Sequence, residues 1–275
     1  MWIDQALAYR LENSQAWRGV RYAEAQARLL PESGSTSLAI GSGQARYAGP
    51  DSPLNRAVAL GFAGAVGTAE IAAVEEFYRR RNAITRIDLC PLADPSLVDA
   101  LLERGYRLER FFNVLALALN LAPPSPPVPE YLRIQPVGPE SAALWIQTVA
   151  QGFAGTAPPT AADLRISAPN AYSANGTRLL ALVEGQPAGG GAMYVHDGVA
   201  ELGGASTLVP FRGRGVQTAL LHERLRLASA AGCEYASVIA TPGSDSQRNV
   251  LRLGFALAYT KAVLVLRDQG SGVRD

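Results

Sequence analysis

Residues 209–221 read VPFRGRGVQTALL and place two glycines and two arginines between a run of apolar residues and a helical pattern. The preceding run, residues 199–209, has the composition of a strand, and apolar residues recur at helical spacing from Val216 onward. A strand, a glycine-containing turn and a helix start bring unpaired backbone N–H groups together. The stretch therefore predicts an anion site at the beginning of a helix.

The two glycines and the two arginines fit a phosphate ligand. Gly213 and Gly215 let the backbone approach a bulky phosphate, and Arg212 and Arg214 can add charge-assisted hydrogen bonds. The pattern is not a P-loop, because no Gly-Lys-Ser/Thr follows. It is not the dinucleotide fingerprint either, because Thr218 stands where the third glycine would be.

Composition excludes several classes of protein. A length of 275 residues suits one large or two moderate domains, and a net charge of +1 argues against a nucleic-acid partner. No signal peptide, membrane span or metal-ligand spacing is apparent, and Cys90 and Cys233 lie in apolar runs typical of buried, reduced thiols. We expect a cytoplasmic protein with no metal, no nucleic-acid partner and no membrane partner; its oligomeric state is left open.

A proline-rich stretch divides the chain into two similar halves. Residues 121–130 contain five prolines in ten residues, which favours a stiff linker. Shifting the chain by 149 residues places Gly105-Tyr106 over Gly254-Phe255, and each pair has the same predicted order of strand, helix and strand around it. We infer a tandem duplication. The predicted domains are 1–121 and 132–268, joined by a linker at 122–131 and followed by a tail at 269–275.

The predicted elements of the second half complete a fold class. One or two helices lead into a three-stranded antiparallel meander, residues 178–184, 188–195 and 199–209, with hairpin-type turns between the strands. A helix, a strand, a helix and a final strand follow, and the first half repeats the order more loosely. The sequence predicts a mixed α+β fold with two tandem domains.

The chain resembles the GNAT superfamily of acyl-CoA-dependent N-acyltransferases in its order of elements and in the motif RGRGVQ at residues 212–217. The pyrophosphate-binding loop of that family reads Arg/Gln-x-x-Gly-x-Gly/Ala. The sequence departs from that pattern only at its last position, where Gln217 replaces a small residue. The resemblance implies two GNAT-like domains, each a mixed, largely antiparallel sheet flanked by helices, and acetyl-CoA as the cofactor. The residues it implies for cofactor binding are Leu208, Val209, Arg212, Gly213, Arg214, Gly215, Val216, Gln217, Thr218 and Asn249.

The first half carries no such loop. The residues that correspond to the motif are 63–68, AGAVGT, and both arginines are missing. We therefore expect a degenerate N-terminal domain without a cofactor site.

The resemblance also implies catalytic residues. Glu201 stands where some family members keep a general base, although an exposed strand glutamate is the alternative. The position of the family's tyrosine acid is Val250, which leaves Tyr259, Tyr235, Ser246 or water to protonate the thiolate. Phe153, at the end of an early helix, is the candidate for the acceptor pocket.

The function that follows is an acetyl-CoA-dependent N-acetyltransferase in which an amine of a small molecule or peptide attacks the thioester directly. The alternative is a sensor or scaffold that binds acyl-CoA without turnover. Access of Glu201 to a cleft would favour catalysis, whereas a carboxylate that faces solvent would weaken it. The sequence specifies neither the acceptor nor the acyl chain.

Overall fold

The computed structural model describes residues 2–124 and 126–266, which form two compact units. Within the described residues, the N unit comprises residues 2–113 and 259–266, and the C unit comprises Val114–Ala258 apart from residue 125. The predicted tail at 269–275 lies outside the described residues.

The helices and strands of the described residues follow the predicted order. The helices are α1 Gln5–Leu29, α2 Thr68–Arg79, α3 Ser96–Glu103, α4 Ala142–Ala154, α5 Ala161–Tyr172, α6 Val216–Ala230 and α7 Asp245–Arg252. The strands are β1 Thr36–Ile40, β2 Gly43–Tyr47, β3 Arg56–Val58, β4 Thr85–Leu89, β5 Arg107–Ala118, β6 Leu132–Pro136, β7 Gly176–Val183, β8 Gln186–His196, β9 Val199–Thr207, β10 Tyr235–Ala240 and β11 Ala256–Leu266. The fold is the predicted mixed α+β class.

The sheet of the N unit has the strand order β1-β2-β3-β4-β11. Its pairs are antiparallel except for β3 and β4, which run parallel and meet at Ala57 and Ile87. Apolar side chains of α2 and α3 pack into one core with this sheet, including Ile71, Val74 and Leu97. This packing follows from apolar residues that recur at helical spacing on both helices.

The sheet of the C unit has the strand order β5-β10-β9-β8-β7-β6. Strands β6 to β9 are antiparallel neighbours, as the meander predicts, and β9 pairs in parallel with β10. Strand β6 was not predicted. It is an edge strand of five residues that ends at Pro136, and a proline of this kind is tolerated only at such a position.

The final strand of each sequence half is divided between the two units. From Val114 onward β5 lies in the C unit, where Leu115 and Leu117 join the core that contains Phe255. From Tyr259 onward β11 lies in the N unit and pairs with β4. The bounds 1–121 and 132–268 describe the two halves of the sequence, and they stay a prediction.

A buried polar network ties β11 into the N unit. The Nζ atom of Lys261 lies 3.0 Å from both carboxylate oxygens of Glu12 and 3.1 Å from Oδ2 of Asp88, and it also donates to Gln15. The Lys261 side chain is fully buried. Burial opposes its charge, but Glu12 and Asp88 outweigh that effect and raise the pKa of Lys261.

Both cysteines are buried, as expected. Burial raises the pKa of the Cys90 thiol to about 12 and also raises the pKa of Cys233. Across residues 2–124 and 126–266, no helix combines the length and apolar character that a bilayer crossing needs. The same residues hold no group of three or more His, Cys, Asp or Glu side chains placed to bind a metal ion.

Candidate functional site

The loop between β9 and α6 is built on two glycines in the left-handed region. After a 3-10 turn over Val209–Phe211, Gly213 has φ 76° and Gly215 has φ 77°. A Cβ atom added at either glycine would meet nothing within 4 Å. The glycines are therefore required by backbone conformation and leave open space beside the chain.

The N-terminus of α6 presents free backbone donors at this loop. Gly215 is the N-cap residue, and the first backbone hydrogen bond of the helix joins the Ala219 N–H to the Gly215 carbonyl at 2.9 Å. The N–H groups of residues 216–218 precede that bond, so no earlier carbonyl of the helix can accept from them. Together with the positive end of the helix dipole, these N–H groups supply the features that an anion-binding site needs.

A cleft of about 650 Å³ opens in front of these donors. It is lined by Phe211, Arg212, Gly213, Gly215, Val216, Gln217 and Thr218 from the loop and α6, and by Gly152, Phe153, Ala205, Ser206 and Thr207 from α4 and β9. Seven of the ten residues predicted to bind the cofactor line it: Arg212, Gly213, Gly215, Val216, Gln217, Thr218 and Asn249.

The two loop arginines have different surroundings. Arg212 lines the cleft, and its side chain donates to the Thr207 carbonyl at 3.3 Å and to the Gly152 carbonyl at 3.2 Å. Arg214 is not among the lining residues. Its Nη2 atom pairs with Glu184 at 3.2 Å, and its guanidinium lies 5.3 Å from the ring centre of Tyr131. Arg212 can reach a ligand in the cleft, whereas Arg214 anchors the loop.

Helix α7 forms the opposite wall of the cleft. Its lining residues are Asp245, Ser246, Arg248, Asn249 and Arg252. Arg248 pairs with Asp245. Arg248 and Arg252 were not predicted from the sequence, although they lie four residues apart and therefore on one face of the helix. They give the cleft two further cations.

A second, smaller pocket lies where β9 and β10 part. The parallel pairing covers three residues of each strand and ends at Glu201 and Ser237. Beyond it, a pocket of about 150 Å³ is lined by Phe153, Leu202, Gly203, Gly204, Ala205, Gln217, Leu221, Arg224, Val238, Ile239, Ser246 and Val250. Phe153, Ala205, Gln217 and Ser246 also line the cleft, so the two spaces adjoin.

The remaining predicted residues lie outside both spaces. The Leu208 N–H donates to the Ala188 carbonyl at 2.9 Å, and neither Leu208 nor Val209 is a lining residue. Glu201 is only 2% exposed, so it is not an exposed strand glutamate, yet it lines neither space. Tyr259 lies in the N unit, where its hydroxyl donates to Glu12 at 2.9 Å.

The corresponding loop of the N unit is closed by its own side chains. The Val66 N–H donates to the Ser96 hydroxyl at 2.8 Å, and the Gly67 N–H donates to the Glu70 carboxylate at 2.9 Å. The Glu70 carboxylate thus occupies the start of α2, where an anion would bind. Residues 63–68 also lack both arginines, and the absence of a cofactor site from the N-terminal half stays a prediction.

Comparison with known proteins matches part of the chain to one family. The family model "Acetyltransferase (GNAT) family" matches residues 146–255. A GCN5-related N-acetyltransferase from Kribbella flavida is similar with a TM-score of 0.58 at 21% identity, over 93% of this chain and 97% of that one. A GCN5-related N-acetyltransferase from Sphaerobacter thermophilus gives a TM-score of 0.56 at 21% identity, over 73% and 67%.

A tandem arrangement also has a precedent among solved structures. A tandem GNAT protein from the clavulanic acid biosynthesis pathway gives a TM-score of 0.56 at 16% identity, over 75% of this chain and 69% of that one. At these identities the structures show a shared fold only. The comparison with curated proteins finds no match. Residues 146–255 thus match the GNAT acetyltransferase family, and the chain shares its fold with GCN5-related N-acetyltransferases and with a tandem GNAT protein.

Proposed function

We propose that the C unit binds acetyl-CoA in the cleft before α6 and transfers the acetyl group to an amine of a small molecule or peptide. The observation that carries the proposal is the open set of backbone donors at residues 216–218, flanked by two left-handed glycines and Arg212. A diphosphate needs this combination of unpaired N–H groups, positive charge and space.

The residues present fit the cofactor. The loop backbone and Arg212 would hold the diphosphate, and Asn249 and Arg252 on α7 would contact the same molecule from the other wall. The smaller pocket adjoins the cleft and would take the acyl end. When bound, acetyl-CoA supplies a thioester whose carbonyl carbon an amine can attack.

The chain must supply groups that accept and donate protons. Glu201 lies at the last paired position before β9 and β10 separate, and we assign it the role of general base. Ser246 lines both the cleft and the smaller pocket, which favours it over Tyr259 as the group that protonates the leaving thiolate. The hydroxyl of Tyr259 is committed to Glu12 in the N unit.

The alternative function, acyl-CoA binding without turnover, is favoured by Val250. Its side chain lines the smaller pocket and carries no proton to donate. The two functions differ in whether an amine releases the thiol of CoA.

The experiment is a thiol-release assay of the full chain with acetyl-CoA and a panel of primary amines. We expect release with at least one amine, and a drop in kcat of about 10²- to 10⁴-fold in Glu201→Gln, the size of effect typical of a general base. Glu234→Gln, a change of another glutamate on the same unit, serves as the matched control. Tight binding of acetyl-CoA without release by any amine would support the sensor or scaffold instead.

A further inference from the structure

Arg224 on α6 is a fully buried cation. Its side chain is 0% exposed, and its Nε and Nη1 atoms donate to the carbonyls of Leu220 at 3.0 Å and Ala192 at 3.2 Å. Its Nη2 atom has no hydrogen-bond partner within residues 2–124 and 126–266. Burial lowers the pKa of Arg224 to about 10, because removal from water disfavours the charged form.

The charge of Arg224 is not balanced by the chain. Both of its acceptors are neutral carbonyls, and a guanidinium has five N–H donors to satisfy. Within the described parts of the chain, none of the ion pairs involves Arg224. A buried charge without a partner is strongly unfavourable, so a site that keeps one has a use for it.

Strand β8 is shaped to admit this side chain. A Cβ atom added at Gly191 would lie 3.0 Å from Cζ of Arg224 and 3.2 Å from its Nη1 atom. Both distances are shorter than ordinary van der Waals contact, so a side chain at position 191 would push the guanidinium away. The absence of a side chain at Gly191 therefore makes room for the buried guanidinium of Arg224.

Arg224 lines the smaller pocket between β9 and β10. The other large side chains around it are mainly apolar, among them Leu202, Leu221, Val238 and Ile239, and Arg224 is the one cation among the lining residues. The pocket of about 150 Å³ has room for roughly five water-sized groups. The methyl group of an acetyl moiety would fill only a small part of it.

We propose that the preferred acyl group carries a carboxylate at its far end, as in malonyl or succinyl thioesters, and that Arg224 binds this carboxylate. The inference rests on the proposed function and specifies its acyl donor. A carboxylate would balance the buried charge and accept from the unpartnered Nη2 atom of Arg224. A neutral acyl chain of the same length would leave both unsatisfied.

The transfer itself leaves the distal carboxylate unchanged. The amine nitrogen forms a bond to the thioester carbonyl carbon, the carbon–sulfur bond breaks, and its electron pair leaves with sulfur. The proton lost by the nitrogen is matched by the proton gained by the CoA thiolate. An acceptor that is an ammonium ion in solution must first release one proton to water before its nitrogen can attack. The product is an amide with a free carboxylate, so the positive charge of the free acceptor is replaced by a negative one.

Calorimetric titration of the full wild-type chain tests the inference with donors matched in shape. Malonyl-CoA is compared with 3-methylbutanoyl-CoA, and succinyl-CoA with 4-methylpentanoyl-CoA, since a branched methyl pair replaces the carboxylate in each case. We expect the acidic donor of at least one pair to bind at least about tenfold more tightly. Equal or weaker binding of the acidic donor in both pairs overturns the inference while the proposed function stands.

Two further results distinguish failure of the inference from failure of the proposed function. If CoA itself fails to bind, the proposed function fails and the inference fails with it. In Arg224→Leu the preference for the acidic donor should fall to within about twofold, whereas Arg224→Lys should keep part of it because the charge remains. A preference unchanged in a folded Arg224→Leu chain would overturn the role of Arg224, and the wild-type comparison decides the donor class even if that variant does not fold.

Discussion

At the scale of single residues, the two glycines of the loop before α6 set its backbone conformation, and its two arginines have different surroundings. Gly213 and Gly215 adopt the left-handed conformations that a close approach to phosphate needs. The sequence gives no means of separating Arg212 from Arg214, because both flank a glycine. Their roles differ through Glu184, which is 30 residues away along the chain and pairs with Arg214.

Lys261 supports the N unit through charge pairing. Replacing it by methionine leaves Glu12 and Asp88 buried without their common partner. We expect Lys261→Met to lower the free energy of unfolding by about 3–5 kcal/mol, the cost of breaking a buried pair. Urea denaturation measures the change. The control is Arg79→Met, which removes a surface pair with Glu76 and should change the midpoint little; equal effects in the two variants would contradict the buried pairing.

The same lysine predicts a pH dependence. Because its folded-state pKa is raised above the unfolded value of about 10.4, its contribution is fully present below that pH and is lost as pH rises through the folded-state pKa. The difference in unfolding free energy between wild type and Lys261→Met should therefore shrink above about pH 10.4. Denaturation midpoints of both chains are compared across pH 8 to 11. A constant difference would show that Glu12 and Asp88 do not raise the pKa of Lys261.

At the scale of elements, most helices and strands were predictable within a few residues from the spacing of apolar side chains. The predicted strand at residues 178–184 is β7, Gly176–Val183, and the predicted strand at 188–195 is β8, Gln186–His196. Strand β6 was not predicted, because five residues that end in proline are too few to show an alternation of apolar and polar side chains. The polar face that α7 turns to the cleft could have been predicted from the sequence, since Asn249 and Arg252 lie three residues apart, about one helical turn.

Helix α7 gives a prediction for cofactor affinity. Arg252 lines the cleft, whereas Arg226 on α6 pairs with Glu223 at the surface and is not a lining residue. We expect Arg252→Ala to raise the Kd for CoA about tenfold, since one charge-assisted contact is lost, and the effect should weaken at high salt. Arg226→Ala is the matched control and should leave the Kd unchanged. Calorimetry at two salt concentrations measures both, and equal Kd values for the two variants would remove α7 from the binding site.

At the scale of the whole molecule, the exchange of final strands was beyond the sequence. Residues 111–119 and 258–266 are both apolar runs, and the pattern of either run is compatible with pairing in either sheet. Chain order therefore suggested two consecutive domains. The structure instead assigns the end of β5 to the C unit and most of β11 to the N unit.

The exchange predicts how truncated chains behave. A chain of residues 132–266 lacks β5, and with it Leu115 and Leu117 from the core of the C unit. Each buried leucine contributes about 1.5–3 kcal/mol, a large fraction of a typical total stability of about 5–15 kcal/mol. We expect this chain to lack a cooperative unfolding transition, whereas residues 107–258, which keep the entire C unit, should retain one. A cooperative transition in the shorter chain, followed by circular dichroism, would contradict the assignment of β5.

The most direct measurement is calorimetric titration of the full chain with acetyl-CoA, together with glycine substitutions in the corresponding loops of the two units. Gly215→Asp and Gly215→Asn add nearly the same bulk at a left-handed position that both residues tolerate, and they differ in charge. Gly64→Asp makes the same change at the corresponding loop of the N unit, where φ is also positive. We predict one site per chain, lost in Gly215→Asp, weakened less in Gly215→Asn and kept in Gly64→Asp. Two sites per chain, or wild-type affinity in Gly215→Asp, would contradict the placement of the cofactor before α6.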